Sequence, residues 1–173
     1  MRKLFLLLFV STLTFGQDKT SASPWQPLQK LVGQWQGVSA GDPGEGRTER
    51  QYEFLYDGKF LQVNSTSTYP PQEKNKKGEV HHEIELFSYD KQRKKIILRQ
   101  FTSEGFVNQY VQESADANKI VFVTESIENI TPGWRGRESY TIVSKDEMTE
   151  RFELAAPGKD FELYLEIRLT RKK

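Results

Sequence analysis

The residues best suited to chemistry form a short run near the middle of the sequence. His81, Glu83 and Glu85 stand two positions apart, so in a β-strand they share one face at intervals of about 6.6 Å. An imidazole and two carboxylates could hold a cation if another strand added a ligand. The alternate positions form a largely apolar set that we expect to face the interior, namely Val80, His82, Ile84 and Leu86. The sequence therefore predicts that the polar three lie on the solvated outer face, and it predicts no metal site.

His82 is the histidine with the more informative predicted setting, because it belongs to the apolar set. An imidazole on an apolar face is either a core residue with satisfied hydrogen bonds or a group that contacts a ligand or moves a proton. The sequence leaves both interpretations open. His82 is therefore a candidate ligand contact.

A predicted hairpin around residues 103–105 carries further polar candidates. A three-residue loop with a left-handed Gly105 sets Gln100 opposite Asn108 and Arg99 opposite Gln109. One of these pairs must point inward, where polar groups cost free energy unless they are paired or bind something. The sequence does not say which pair it is. The candidate ligand contacts on this hairpin are Arg99, Gln100, Asn108 and Tyr110.

Two more candidates follow the loop at residues 130–133. Trp134 and Arg137 combine an aromatic ring with a guanidinium group, a combination that holds a carboxylate or an anionic headgroup when it lies at the rim of a pocket. The alternative is a surface ion pair of small energetic value.

Composition excludes several functional classes. The chain has no cysteine, which excludes disulfides, thiolate zinc sites and iron–sulfur clusters. It has 25 basic and 24 acidic side chains among 173 residues, so it lacks the basic excess typical of nucleic-acid binding, and we predict no nucleic-acid partner. It also lacks the G-x-S-x-G and H-E-x-x-H patterns of hydrolases and metalloproteases.

The elements that must position these residues are β-strands. From Trp35 onward, alternating apolar and polar residues are interrupted by turn signals about every ten residues, which predicts about ten strands. We expect a single all-β, antiparallel, up-and-down barrel behind a short helix at residues 27–33, since closure removes exposed sheet edges. The long interruptions at 41–46, 69–78 and 130–136 are candidates for its rim. In the last strand, the predicted inward set is Phe161, Leu163, Leu165, Ile167 and Leu169.

The N-terminal segment predicts export. Arg2 and Lys3 precede an apolar run at residues 4–15 that is too short to span a bilayer but suits a signal peptide. We expect a signal peptide at residues 1–16, a flexible leader at 17–26 and a barrel domain at 27–173. Removing residues 1–16 changes the formal net charge from +1 to −1. The mature protein is predicted to be soluble and periplasmic or extracellular, with no membrane span.

A motif at the start of the predicted barrel resembles a known group. The chain reads P-L-x-x-L-x-G-x-W-x-G from residue 27 to residue 37, and this is similar to lipocalin-like, or calycin, barrels, including uncharacterised exported bacterial members and, more distantly, the nitrobindin type. The resemblance implies that Trp35 lies at the closed end of the barrel. It also implies that a basic residue of the final strand, here Arg171, packs across the indole as a structural clasp.

The resemblance implies a ligand-binding barrel. We expect a small apolar or amphipathic molecule in the interior and no catalysis. Nitrobindins hold haem through a late histidine, whereas this chain has only His81 and His82. We therefore expect no cofactor, with haem held by His82 or a tyrosine as an alternative.

Two other functional classes remain open. An enzyme could use the cavity for proton transfer or isomerisation, with His82, Arg99, Tyr110 or a buried glutamate as the acid or base. Such an enzyme predicts converging polar groups with strongly shifted pKa values. A partner-binding module predicts instead an exposed apolar patch near Trp134 or the first helix. The oligomeric state is left open.

Overall fold

The computed structural model describes residues 23–73 and 75–173, and these residues form a closed antiparallel barrel of ten strands. Each strand pairs with its neighbours in sequence, and the last strand pairs with the first. In chain order the elements are α1 (Gln26–Gln29), β1 (Gly33–Gly41), β2 (Gly46–Leu55), β3 (Phe60–Tyr69), β4 (Glu79–Asp90), β5 (Lys95–Thr102), β6 (Val107–Ala115), β7 (Lys119–Glu128), β8 (Arg135–Ile142), β9 (Glu147–Ala155) and β10 (Glu162–Arg171). The predicted fold class is confirmed, although α1 is shorter than the predicted helix.

The predicted signal peptide and residues 17–22 of the predicted leader lie outside the described residues. Among the residues that are described, no helix is long and apolar enough to cross a membrane.

The hairpin between β5 and β6 has the predicted register. Gln100 stands opposite Asn108, and Arg99 stands opposite Gln109. Gly105 has a φ of 90°, the left-handed conformation that the three-residue loop requires. The turn residue Gly105 and the length of the loop were therefore sufficient to predict the register of these two strands.

One end of the barrel is closed by α1 and by the clasp. The Trp35 ring is almost fully buried, and its Nε1 donates to the Leu31 carbonyl oxygen at 2.7 Å. The Arg171 guanidinium carbon stands 4.2 Å from the ring centre, so the contact implied by the resemblance is present. Arg171 also donates to the carbonyl oxygens of Val32, at 2.6 Å, and Lys30, at 2.8 Å. The clasp thereby ties the last strand to the segment that precedes the first.

The interior is arranged in three levels. An apolar core fills the closed end, and its largest side chains are Trp35, Tyr52, Phe87, Tyr110, Phe122 and Tyr140. A layer of buried charged and amide side chains lies above the core, and a cavity occupies the open end. Pro43, Tyr69 and Ile130 line this cavity, one from each of the three segments predicted to form the rim.

The predicted orientation of β4 is wrong. Val80 is 53% exposed and Ile84 is 49% exposed, whereas Glu85 is fully buried. His81 and Glu83 line the cavity, so the polar face is the inner one. The prediction fails because the interior at this depth is charged, with its partner cation supplied by another strand.

The inward set predicted for β10 holds for only part of the strand. Ile167 and Leu169 are buried, but Leu163 is 46% exposed. A register shift between Leu163 and Leu165 interrupts the pairing with β9. Such an irregularity changes which side chains face inward, so Tyr164 and Leu165 both line the cavity.

Candidate functional site

The structure divides the sequence candidates between the two faces of the barrel. Gln100, Asn108 and Tyr110 are buried in the interior. Gln100 and Asn108 line the cavity, whereas Tyr110 and the other four candidates do not. His82 is exposed, with its Nδ1 3.1 Å from the Thr66 hydroxyl oxygen. The inner face of the β5–β6 hairpin is therefore the one that carries the amide groups.

Arg99, Arg137 and Trp134 belong outside this interior set. Arg99 donates to the side chain of Gln109 at 3.1 Å, on the face opposite Gln100. Arg137 makes a two-point contact with Glu153, at 2.6 and 2.7 Å, which is the surface ion pair left open by the sequence. Trp134 is partly buried in the segment before β8.

Arg50 is the centre of the buried polar layer. Its guanidinium group contacts Glu150 at 2.6 Å, Glu85 at 3.2 Å and Glu83 at 3.3 Å. Arg50 is 4% exposed and Glu85 is fully buried, so these ion pairs are shielded from water. One cation thus joins carboxylates from β4 and β9 across the barrel.

Amide and phenol groups extend this network. Glu85 accepts hydrogen bonds from Gln100 Nε2 at 2.9 Å and from the Tyr140 hydroxyl at 3.3 Å. Asn108 Nδ2 lies 3.3 Å from both Gln100 Oε1 and the Tyr110 hydroxyl. The two strands of the predicted hairpin are thereby connected to the central arginine.

Three carboxyl groups in the layer are shifted toward the neutral form, and burial is the largest cause of the raised pKa in each, Glu85 included. Burial raises the pKa of Glu138 well above its ordinary value, and the neighbouring Glu150 and Glu85 add to that shift. Burial also raises the pKa of Glu150 to about 8, because the attraction of Arg50 does not offset desolvation and the nearby carboxylates. These shifts act against ionisation of the carboxyl groups in the ligand-free barrel.

Several polar atoms of this layer have no hydrogen-bond partner among the described residues. Three of them are acceptors on residues that line the cavity, namely Asn108 Oδ1, Glu138 Oε1 and Glu150 Oε2. Arg50 Nε and the Tyr52 hydroxyl are also buried and also lack a hydrogen-bond partner there. Buried polar atoms are normally paired, so their concentration beneath a cavity marks a site where a ligand or water completes the bonding.

His81 joins two elements at the mouth of the cavity. Its Nε2 lies 3.1 Å from Glu83, and its Nδ1 lies 2.7 Å from Glu104 in the β5–β6 loop. Burial lowers the pKa of His81, but these two carboxylates raise it to about 9. The imidazole is therefore protonated at neutral pH, and both nitrogens are engaged.

The cavity has a volume of about 400 Å³. Apolar side chains form much of the rest of its wall, including Phe106, Ile127, Phe152, Leu154 and Ile167. A concave space with an apolar wall and a few convergent polar groups is the usual form of a small-molecule site.

Sequence reasoning missed Arg50, Glu138 and Glu150. Each stands at an inward position of a strand, and Glu150 lies between the inward residues Met148 and Phe152. A charged residue within an otherwise apolar alternation was the available signal. The signal is hard to read from one strand, because Arg50 and the carboxylates that pair with it lie on different strands.

The raised pKa values predict how stability depends on pH. The pKa of Glu150 rises from 4.5 to about 8, and that of His81 rises from 6.5 to about 9. Over these ranges the folded protein binds more protons than the unfolded chain, so the free energy of unfolding falls as pH rises. The lowered pKa of Glu83 acts in the opposite sense, but only under acidic conditions.

We expect the midpoint of thermal unfolding to fall between about pH 6 and about pH 9. Glu150→Gln should reduce this slope, whereas Glu153→Gln, on the outer face of the same strand, should preserve it. A midpoint that stays constant or rises over this range would contradict the raised pKa values of Glu150 and His81.

The described part of the chain holds no group of three or more histidine, aspartate or glutamate side chains placed to bind a metal ion.

Among solved structures, the chain is similar to Rv2717c from M. tuberculosis, with a TM-score of 0.65 and 21% sequence identity over 88% of this chain and 99% of that one. That likeness supports the fold alone. No curated protein matches significantly. The model of the THAP4-like, heme-binding beta-barrel domain matches residues 25–171, and the chain therefore belongs to that family.

Proposed function

We propose that this protein is an exported barrel that binds a small amphipathic molecule in its interior, without catalysis. The observation that carries the proposal is the cavity of about 400 Å³, which combines an apolar wall with buried polar atoms that lack partners among the described residues. An apolar body against the wall and a polar end at the floor would satisfy both surfaces. The export part rests on the predicted signal peptide, which implies a soluble periplasmic or extracellular protein.

Haem is the second candidate, because the family is described as heme-binding. Its iron needs an axial ligand, and the sequence contains only two histidines. Both nitrogens of His81 are engaged by carboxylates, and the group is protonated, so it has no free lone pair for iron. His82 lies on the outer surface. Neither histidine fits the role of a haem ligand.

The remaining donors fit haem no better. Tyr69 and Tyr164 line the cavity, but burial raises the pKa of both phenols, which keeps them neutral. The propionate groups of haem would also meet Arg50 and His81, whose charges are already shared among carboxylates. These residues do not fit haem, so the proposed function is assigned no cofactor.

One observation favours an alternative to ligand binding without catalysis, namely an enzyme that transfers protons in the cavity. The enzyme hypothesis required polar groups that converge in a pocket with shifted pKa values, and Glu138 and Glu150 meet that condition. His82 and Arg99 lie on the outer face and Tyr110 does not line the cavity, so any acid or base would come from the two glutamates.

Native mass spectrometry of the protein purified from its own host tests the binding proposal. We expect a retained small molecule and an absorption spectrum without a Soret band. Ile130→Trp, at the cavity mouth, should lower the retained fraction at least about tenfold by occupying the space. Ile84→Trp makes the same change on the outer face and should retain the ligand. A Soret band would instead establish haem, and equal retention by the two variants would place the ligand elsewhere.

A further inference from the structure

The chemistry of the cavity floor identifies the kind of polar end that a ligand should carry. Three of its unpartnered atoms, on Asn108, Glu138 and Glu150, are hydrogen-bond acceptors. These residues are 9%, 2% and 3% exposed, respectively, and all line the same cavity. Leaving a buried acceptor without a partner costs free energy. A ligand that donates hydrogen bonds at this floor would remove that penalty.

The strand register brings two of these residues together. Glu138 on β8 stands opposite Phe152 on β9, and Glu150 precedes Phe152 by two residues on the same face. Glu138 and Glu150 are therefore diagonal neighbours, a separation that long side chains can span. Their mutual repulsion helps to raise the pKa of Glu138. The two carboxyl groups form an acidic corner of the cavity.

The cationic side chains at this floor already form ion pairs with carboxylates. Arg50 contacts three carboxylates, and His81 contacts two. Glu138 has no ion-pair partner among residues 23–73 and 75–173. An anionic group entering here would meet an excess of acid. A cationic group would meet Glu138, which lacks an ion-pair partner there, beside Glu150, which shares Arg50 with two other carboxylates.

We propose that the ligand is an organic cation, with an apolar body against the cavity wall and a positively charged nitrogen at Asn108, Glu138 and Glu150. This inference rests on the proposed interior ligand site and adds the chemical class of the ligand. The nitrogen supplies the donors that the three acceptors lack. The apolar body occupies the space between Phe106, Ile127 and Ile167.

Three probes that share one hydrocarbon chain separate the two proposals: octylamine, octanol and octanoate. We expect isothermal titration calorimetry at pH 7 to give octylamine an affinity at least about tenfold above octanol, and octanoate the weakest binding. Equal affinities, or the tightest binding by octanoate, would overturn the cation inference and leave the ligand site in place. If all three probes fail to bind, both proposals fail.

Matched variants locate the charge. Glu138→Gln keeps the size of the side chain and removes the carboxylate, so octylamine should lose its advantage while octanol binding stays the same. Glu153→Gln, which removes a carboxylate on the outer face of β9, should leave both affinities unchanged. Thermal unfolding of each variant shows whether it is folded. An unchanged preference for octylamine in folded Glu138→Gln would contradict the assignment.

Proton release supplies a readout that simple hydrophobic binding would not produce. Octylamine is an ammonium ion at pH 7, and its approach should lower the pKa of Glu150 and Glu138 and release protons. The charged and titratable groups around Glu150 are Arg50 and Tyr52 on β2, Glu83 and Glu85 on β4, Glu138 and Tyr140 on β8. Binding enthalpies in buffers of different ionisation enthalpy measure the release, and none is expected with octanol. Equal release by both probes would contradict the cation site.

Discussion

Arg50→Met is expected to destabilise the protein by about 3–5 kcal/mol at neutral pH, a large share of the total stability of a typical domain. The substitution removes the guanidinium that contacts Glu83, Glu85 and Glu150. It leaves those carboxylates buried without a counter-charge, and desolvation then disfavours their ionised forms. Chemical denaturation followed by circular dichroism measures the loss.

The pH dependence of the variant distinguishes this mechanism from simple loss of packing. Without Arg50, the buried carboxyl groups titrate at higher pH in the folded state than in the unfolded chain, so stability falls as pH rises. Lowering the pH to about 5 should therefore recover part of the lost stability, as should adding Glu85→Gln and Glu150→Gln. Arg47→Met, at an exposed position of the same strand, should have little effect. An Arg50→Met protein as stable as the parent would contradict the described network.

The barrel and its closed end could be predicted because their signals are local. Alternation and turn residues define strands, and a three-residue loop with Gly105 sets the β5–β6 register. The Trp35–Arg171 contact was implied by the resemblance that the motif at the first strand carries. Each of these features depends on residues close in sequence or on a resemblance that spans the whole barrel.

The cavity floor could not be predicted in the same way, because its charges compensate one another only after the barrel has closed. Glu85 is inward because Arg50, 35 positions earlier, meets it at 3.2 Å. Read alone, β4 offers a choice between an apolar face and an acidic face, and hydrophobicity selects the wrong one. The long-range ion pair outweighs the burial of Val80 and Ile84, whose aliphatic side chains remain half exposed.

Gly37→Ala is expected to cost several kcal/mol, on the scale of severe overpacking. A Cβ at this position would overlap the carbonyl oxygen of Arg168 and would stand 2.9 Å from the Leu169 Cα. Both contacts are with backbone, which cannot rotate away as a side chain can. The added methyl group would therefore push β1 and β10 apart at the pairing that closes the barrel.

The comparison with Gly136→Ala isolates this cause, since the Cβ added there would meet side-chain atoms of Phe152 and Thr124, at 3.0 and 3.2 Å. Those side chains can adjust, so we expect a cost of about 1 kcal/mol for Gly136→Ala, measured for both variants by urea denaturation. Opening the β1–β10 seam also exposes two unpaired strand edges, so Gly37→Ala should self-associate in size-exclusion chromatography while Gly136→Ala should not. Equal midpoints for the two variants would mean that β10 can shift away from β1. Because Leu165 and Ile167 of β10 line the cavity, a closed seam is also what holds one wall of the proposed ligand site in place.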